Sequence, residues 1–259
     1  MPGSVALPAT TVLSFALVLA RVGGTVSFVP LPGFRQGPLL ARIVLTLTLT
    51  LALAPVWPAV PAGRVGIGLF ALWLLSDATF GVTVGLAVAF LNEAFVLSSQ
   101  IFGLQAGYGY ASTIDPATQA DSSVLQIFSH LSAALLFLAF GLDREVIRIF
   151  AASLTQFPPG SFALKLTSAV PILRLGAGMF AVAVRLALPI VAVLMLVDLS
   201  LALLGRINTQ LQLLMLSFPA KMLISMGLLA SIAILMPNLY QASAKPTFQI
   251  LSEVLHPAP

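Results

Sequence analysis

"GLQAGYGYASTIDPATQADSS", residues 103–123, is a polar, glycine-rich stretch set between two apolar runs. The runs that flank it, roughly 79–104 and 121–141, are each long enough to cross a bilayer core, which takes about 20 apolar residues. Similar runs lie at roughly 10–30, 41–60, 177–204 and 211–236, and a shorter one, "VGIGLFALWLL" (65–75), adjoins the third. Their alphabet is leucine, alanine, valine and phenylalanine without alternation of period two, which argues for helices over a barrel. The expected fold is an all-α integral membrane protein of about six broken hydrophobic helices. Residues 65–104 are too long for one ordinary span, so a hinge is expected near Asp77 and Gly81.

Composition points the same way. Of 259 residues, 59% are hydrophobic and only 8% charged, against about 25% charged in soluble domains. That leaves too little polar surface to face water all round. The absence of cysteine excludes disulfides, thiolate metal sites and cysteine nucleophiles. A net charge of +4 fits basic loops beside anionic lipid headgroups. Basic patches with interleaved aromatics are missing, so nucleic acid is not an expected partner. The start, "MPGSVALPATTVLSFALVLARVGG", lacks a basic n-region and a clear cleavage site, and reads as a retained membrane segment.

Several spans are imperfect. "ARVGGTVSFVPLPGF" interrupts the first with Arg21, Gly23, Gly24, Pro30 and Pro32; prolines in "APVWPAVPAG" end the second; "LSFPAKM" places Pro219 and Lys221 in the last. Broken backbone at membrane depth is tolerated where protein or water shelters the freed polar groups. After 141, "LDREVIRIFAASLTQF" differs in kind: Leu142, Val146, Ile149, Phe150 and Leu154 form one stripe at helical spacing, as in an interfacial amphipathic helix. "FPPGSF" (157–162) stops it, and the two halves of the chain divide near residue 170.

Charges inside apolar segments are costly and are the first candidates for function: Arg21, Asp77, Glu93, Arg185, Asp198 and Lys221. Arg185 and Asp198 lie about 20 Å apart along one helix, so each needs a partner elsewhere. Structural ion pairs and snorkelling side chains account for such charges as readily as a polar channel does. The two histidines, His130 and His256, have no neighbouring carboxylate at ligand spacing, so neither a metal nor another cofactor is expected. No nucleophile–base pair stands out, and the chain is not expected to be an enzyme. The loop does not fit a dinucleotide fingerprint, because Ser112 stands where the third glycine belongs. Its glycines instead permit close backbone approach, Asp115-Pro116 favours a turn, and Asp121 or Ser122 could cap a helix starting near Val124. Broken helices with midplane charges also suit a stand-alone secondary transporter with a polar site at the bilayer midplane, which would carry internal repeats that this sequence lacks.

The succession "FVPLPGFRQGPLLARIVLTLTL", "GLQAGYGYAS", "DPATQADSSVL", "FPPG" and "RINTQLQLLMLSFPAK" resembles the FliR family of flagellar export-gate subunits, over about residues 15 to 235. The injectisome family SctT is related, but "DPATQADSSVL" is nearer the flagellar branch. Asp77 stands where that family usually has glutamate ahead of Gly81 and Gly85, Asp143 where histidine is common, and Thr209 and Gln212 where proline and asparagine are common.

The resemblance implies a FliP-like N-terminal part (1–170) fused to a FliQ-like helical hairpin and C-terminal tail (171–259). It also implies a non-enzymatic role in a bacterial inner-membrane gate of the flagellar basal body, through which unfolded flagellar proteins pass. Partners by resemblance are FliP-like and FliQ-like subunits, FlhB and, less directly, FlhA. The loop 103–123 would plug the pore, with Gly103, Gln105, Gly107, Tyr108, Gly109, Tyr110, Asp115 and Pro116 as its marked residues. Arg21, Asp77, Glu93, Arg185, Asp198 and Lys221 would make polar contacts in the lumen or between subunits.

Overall fold

The computed structural model describes residues 8–30, 38–60, 66–108, 123–158, 160–162, 166–207 and 213–255. Among the described residues there are eight α-helices and no strand: α1 (Ala9–Val26), α2 (Leu39–Ala52), α3 (Ile67–Ala106), α4 (Ser123–Ala139), α5 (Leu142–Gln156), α6 (Leu166–Ile207), α7 (Leu213–Ala233) and α8 (Met236–Val254). A short 3-10 turn, Ala54–Val56, follows α2. Helices α1 and α3 and the Ala169–Ile207 part of α6 are long and apolar enough to cross a membrane. Two more crossings result if α4 with α5, and α7 with α8, each count as one broken span. Large apolar side chains stand exposed along α2 (Leu39, Leu40, Ile43, Val44) and α6 (Phe180, Leu188, Met195, Leu199). A water-soluble surface does not carry such rows, so the chain is an all-helical membrane protein.

Three expectations change. The hinge at Asp77 and Gly81 does not form: α3 runs unbroken through both for 40 residues, about 60 Å at the usual rise. Gly81 is not spent on a bend but on contact with α1, described below. Likewise α1 passes through Arg21, Gly23 and Gly24 without interruption and stops only after Val26. Residues 41–60 do not make one span; α2 ends after 14 residues, because Pro55 enters the 3-10 turn and Trp57 Nε1 donates to Thr50 O at 3.0 Å. Residues 236–254 form a further helix, α8, with Pro246 inside it. The amphipathic segment after 141 is present as α5, burying Val146, Phe150, Ser153 and Leu154.

Two compact units emerge, and they interleave along the chain. The first comprises Met1–Phe90, Phe137–Leu175 and Pro246–Pro259; the second comprises Leu91–Leu136 and Gly176–Lys245. They group the chain by packing.

In the first unit α1 packs closely on α3. A Cβ on Gly24 would lie 2.8 Å from Ala78 O, one on Gly85 would lie 2.9 Å from Phe28 Cβ, and one on Gly81 would overlap the carbonyl of Arg21. Small residues at this seam let the two backbones approach, as in other membrane helix pairs, and Thr25 Oγ1 donates across it to Gly81 O at 2.5 Å. Val18, Val22, Val26 and Leu154 form a buried cluster, with Leu45, Leu49 and Trp57 against it. A second apolar group centres on the fully buried Phe80, whose ring meets Phe150, Phe157 and Phe162 at 5.1–6.4 Å. The segment after α5 wraps this group: Gly160 has φ +74° with Trp73 against its α-carbon, leaving no room for a side chain.

In the second unit Phe102, Ala106, Leu125, Ala187, Ile190 and Leu194 form the buried core. Tyr240 of α8 is fully buried beside Phe95, ring centroids 5.1 Å apart, and its hydroxyl donates to Asn92 Oδ1.

Candidate functional site

The intramembrane charges resolve into two assemblies, one in each unit. In the first unit Arg21, 2% exposed, faces Asp77, also 2% exposed, four residues before Gly81 on α3. The Arg21 Nε donates to Asp77 Oδ1 at 2.9 Å and Nη2 donates to the same oxygen. The remaining donors are taken by α5 and its exit: Nη1 reaches Ser153 O at 3.0 Å and Ser153 Oγ at 3.1 Å, and Nη2 approaches Phe157 O at 3.4 Å. The guanidinium carbon stands 4.8 Å from the centroid of the Phe80 ring, within cation–π range. A planar fork with five donors suits this task; a lysine has three, against the four acceptors Asp77 Oδ1, Ser153 O, Ser153 Oγ and Phe157 O. Arg21 therefore ties α1 to α3 and α5 through one buried group.

In the second unit the C-terminus of α3 is the anchored element. It closes with Gly107 at φ +87°, where glycine is favoured, and with bonds from Gly107 N–H to Leu104 O and Tyr108 N–H to Gly103 O, both 3.1 Å. That is the paired pattern of a glycine-terminated helix. The ring of Phe218 on α7 packs against Gly107, 2.6 Å from where a Cβ would stand. Tyr108 Oη donates to Met222 O at 3.3 Å and lies 3.5 Å from Ser225 Oγ, both on α7. One turn back, Gln105 Nε2 donates to Asp198 Oδ2 of α6 at 3.0 Å, and the other oxygen of Asp198 pairs with Lys221 Nζ of α7 at 2.8 Å. Lys221 is 11% exposed and Asp198 41%. This assembly meets water or a neighbouring surface, unlike the closed Arg21–Asp77 pair.

Of the other residues marked in the sequence, Glu93 is partly buried on α3 and Arg185 is exposed on α6, on neither of these assemblies. Gly103 is ordinary helix whose missing side chain would meet Leu125 at 3.5 Å. Gly109, Tyr110, Asp115 and Pro116, with the caps Asp121 and Ser122, lie outside the described residues. Among the described residues no group of three or more histidine or acidic side chains could hold a metal ion.

Sequence reasoning missed Ser153, Ser225 and the Asn92–Tyr240 bond. Ser153 shares the buried stripe of α5, so a polar residue on that apolar face was the available signal. Asn92 could have been flagged in the same way, as an amide inside an apolar span.

Residues 12–246 match the family model described as "Bacterial export proteins, family 1". The chain is 28% identical to the flagellar biosynthetic protein FliR of Escherichia coli over 243 residues, covering 93% of this chain and 92% of the relative. It is 27% identical to FliR of Bacillus subtilis, covering 82% and 83%, and 26% identical to FliR of Caulobacter vibrioides, covering 83% and 86%. The likeness spans both assemblies, since Arg21, Asp77, Gln105, Asp198 and Lys221 all fall within the matched residues. This chain therefore belongs to the bacterial export proteins, family 1, the family of the FliR proteins.

Proposed function

We infer that this chain is a non-enzymatic component of the flagellar type III protein export apparatus, helping to form the channel through which unfolded flagellar proteins leave the cell. The observation that carries this reading is the family match over residues 12–246, with FliR relatives covered over nearly their whole length. Among the described residues, the Arg21 and Asp198 assemblies bond helix to helix. The seat is the bacterial inner membrane at the flagellar basal body. Residues 1–170 act as a FliP-like part and residues 171–259 as a FliQ-like hairpin with its tail. The partners are FliP-like and FliQ-like subunits and FlhB, with FlhA less direct.

Within that reading the loop 103–123 restricts the channel at rest. Support comes from its base, where Gly107 ends α3 and Gln105 and Tyr108 tie that end to α6 and α7. A seal needs a fixed anchor, and this one is held by side chains on two other helices. Exposed charges such as Arg185 and the half-exposed Asp198 are available to neighbouring subunits or to the lumen.

Gentle solubilisation of the tagged protein, followed by measurement of complex mass, tests the assignment. Several copies of FliP-like and FliQ-like chains should accompany it. A monomer or homodimer would instead favour the transporter, with Asp198 and Lys221 as its polar site. Shortening residues 106–120 should leave the assembly intact and make resting membranes leak ions; normal secretion without leak would remove the sealing role.

A further inference from the structure

We propose that a single buried water molecule bridges Ser129 on α4 and Ser98 on α3 inside the second unit. A small internal cavity, about 10 Å³ for the centre of a water molecule, is lined by Ser98, Phe102, Ser129, Ile190, Leu229 and Met236. That is close to the least volume that holds one water. Ser129 is 1% exposed, and its Oγ has no hydrogen-bond partner among the described residues. A helical serine ordinarily donates to a carbonyl three or four residues back. The other buried serines do so: Ser14 to Thr10 O, Ser98 to Phe95 O, Ser99 to Val96 O, Ser153 to Phe150 O and Ser225 to Met222 O. Ser129 alone among them forgoes that bond, and it lines the cavity.

A buried hydroxyl without a partner is costly, and an apolar occupant would leave that cost in place. Water satisfies it. Ser98 has already donated its proton to Phe95 O, so its remaining lone pairs accept from the water, while the Ser129 hydroxyl donates to the water oxygen. Two polar partners meet the minimum for an ordered internal water. The remaining walls are apolar, which fixes the molecule between these two oxygens. The cavity sits where the helices on either side of residues 109–122 pack, so an exchangeable molecule joins α3 and α4 in addition to the direct packing of Leu125 on Phe102 and Ala106.

The test is a cycle of Ser98→Ala, Ser129→Ala and the double variant in the full chain, purified in detergent with whatever subunits accompany it, read as melting temperature. Alanine favours the helix at both positions, but that gain enters singles and double alike and cancels from the cycle. With a bridging water, the second substitution shifts the melting temperature by a different amount once the first has been made. Strictly additive shifts overturn the proposal. A density map of the unsubstituted complex gives a second reading that no folding failure can compromise: a peak within hydrogen-bond distance of both Oγ atoms is expected. A map that resolves other internal waters and shows none here overturns it as well.

Discussion

Removing the side chain of Asp77 tests the reading of the Arg21 assembly most severely. In Asp77→Ala the guanidinium remains 2% exposed but loses the acceptor of its Nε and its closest Nη2 contact. Ser153 still accepts from Nη1, and Phe157 O at 3.4 Å is too distant to replace a carboxylate. Leaving one partner of a buried pair uncompensated costs about 3–5 kcal/mol, a factor of roughly 10² to 10⁴ in the folded ratio. For a chain of this size that is a fall of about 6–20 °C in melting temperature, at about 2–4 °C per kcal/mol. The paired replacement Arg21→Met with Asp77→Leu should behave differently. With both charges gone, no desolvated ion remains, and stability should return to within about 1 kcal/mol of the natural protein or exceed it. Thermal melting of the four proteins in detergent measures all of this. An Asp77→Ala shift within about 0.5 kcal/mol, typical of surface changes, would refute the claim that the pair is closed to water. A double variant as damaged as the sum of the singles would refute the claim that charge, not packing, is at stake.

Four further outcomes follow from the geometry. Gly81→Ala would drive a Cβ into the carbonyl of Arg21 and should cost about 1–3 kcal/mol by forcing the α1–α3 seam apart. Gly178→Ala and Gly227→Ala meet nothing within 4 Å and should instead stabilise their helices by about 0.5–1 kcal/mol, a difference of sign that melting curves resolve. Lys221→Met leaves Asp198 half exposed and still bonded to Gln105, so its stability cost should stay below about 1 kcal/mol; a loss as large as that from Asp77→Ala would mean that this pair is buried as well. Gly160→Ala meets both the ring of Trp73 and an unfavourable φ of +74° and should lower the melting temperature, whereas Trp73→Ala in the same background should recover part of that loss.

How much of this could be read from the residues depends on which force places them. Membrane crossing is decided by apolar length, so α1, α3 and α6, and the broken pairs that α4 and α7 begin, each answer to a run visible in the chain. The stripe of α5 was equally plain, because an amphipathic face leaves a periodic mark. The ends were harder. Gly23, Gly24 and Gly81 look like breakers in isolation, yet tertiary packing turns them into contact points, and nothing local distinguishes the two uses. Helix α8 escaped notice because Pro237, Asn238, Gln241, Lys245 and Pro246 mimic a polar tail, although Met236, Tyr240, Ala244, Thr247 and Leu251 follow a helical spacing and are all buried. The charges themselves stood out by cost, but their partners could not be named: Arg21 meets Asp77 across 56 positions, and only the fold brings those together.

The two charge pairs do different work because they differ in access to water. Arg21 and Asp77 are sealed among phenylalanines, with each Arg21 nitrogen committed to an acceptor. A group in that state fixes three helices in register and leaves no guanidinium nitrogen for a second partner. Asp198 keeps 41% of its side chain exposed while Gln105 and Lys221 hold its two oxygens, so it can accept a further donor without losing either bond. The same carboxylate accepts from Gln105, two residues before the glycine that ends α3. Asp198 is thus linked, through one amide and less than one helical turn, to the point where residues 109–122 begin. If export opens the loop from its base, Asp198 is the side chain whose surroundings change first, and Asp198→Asn should alter ion leak while leaving melting temperature within about 1 kcal/mol of the natural value. A variant that melts early without any change in leak would assign Asp198 to stability alone.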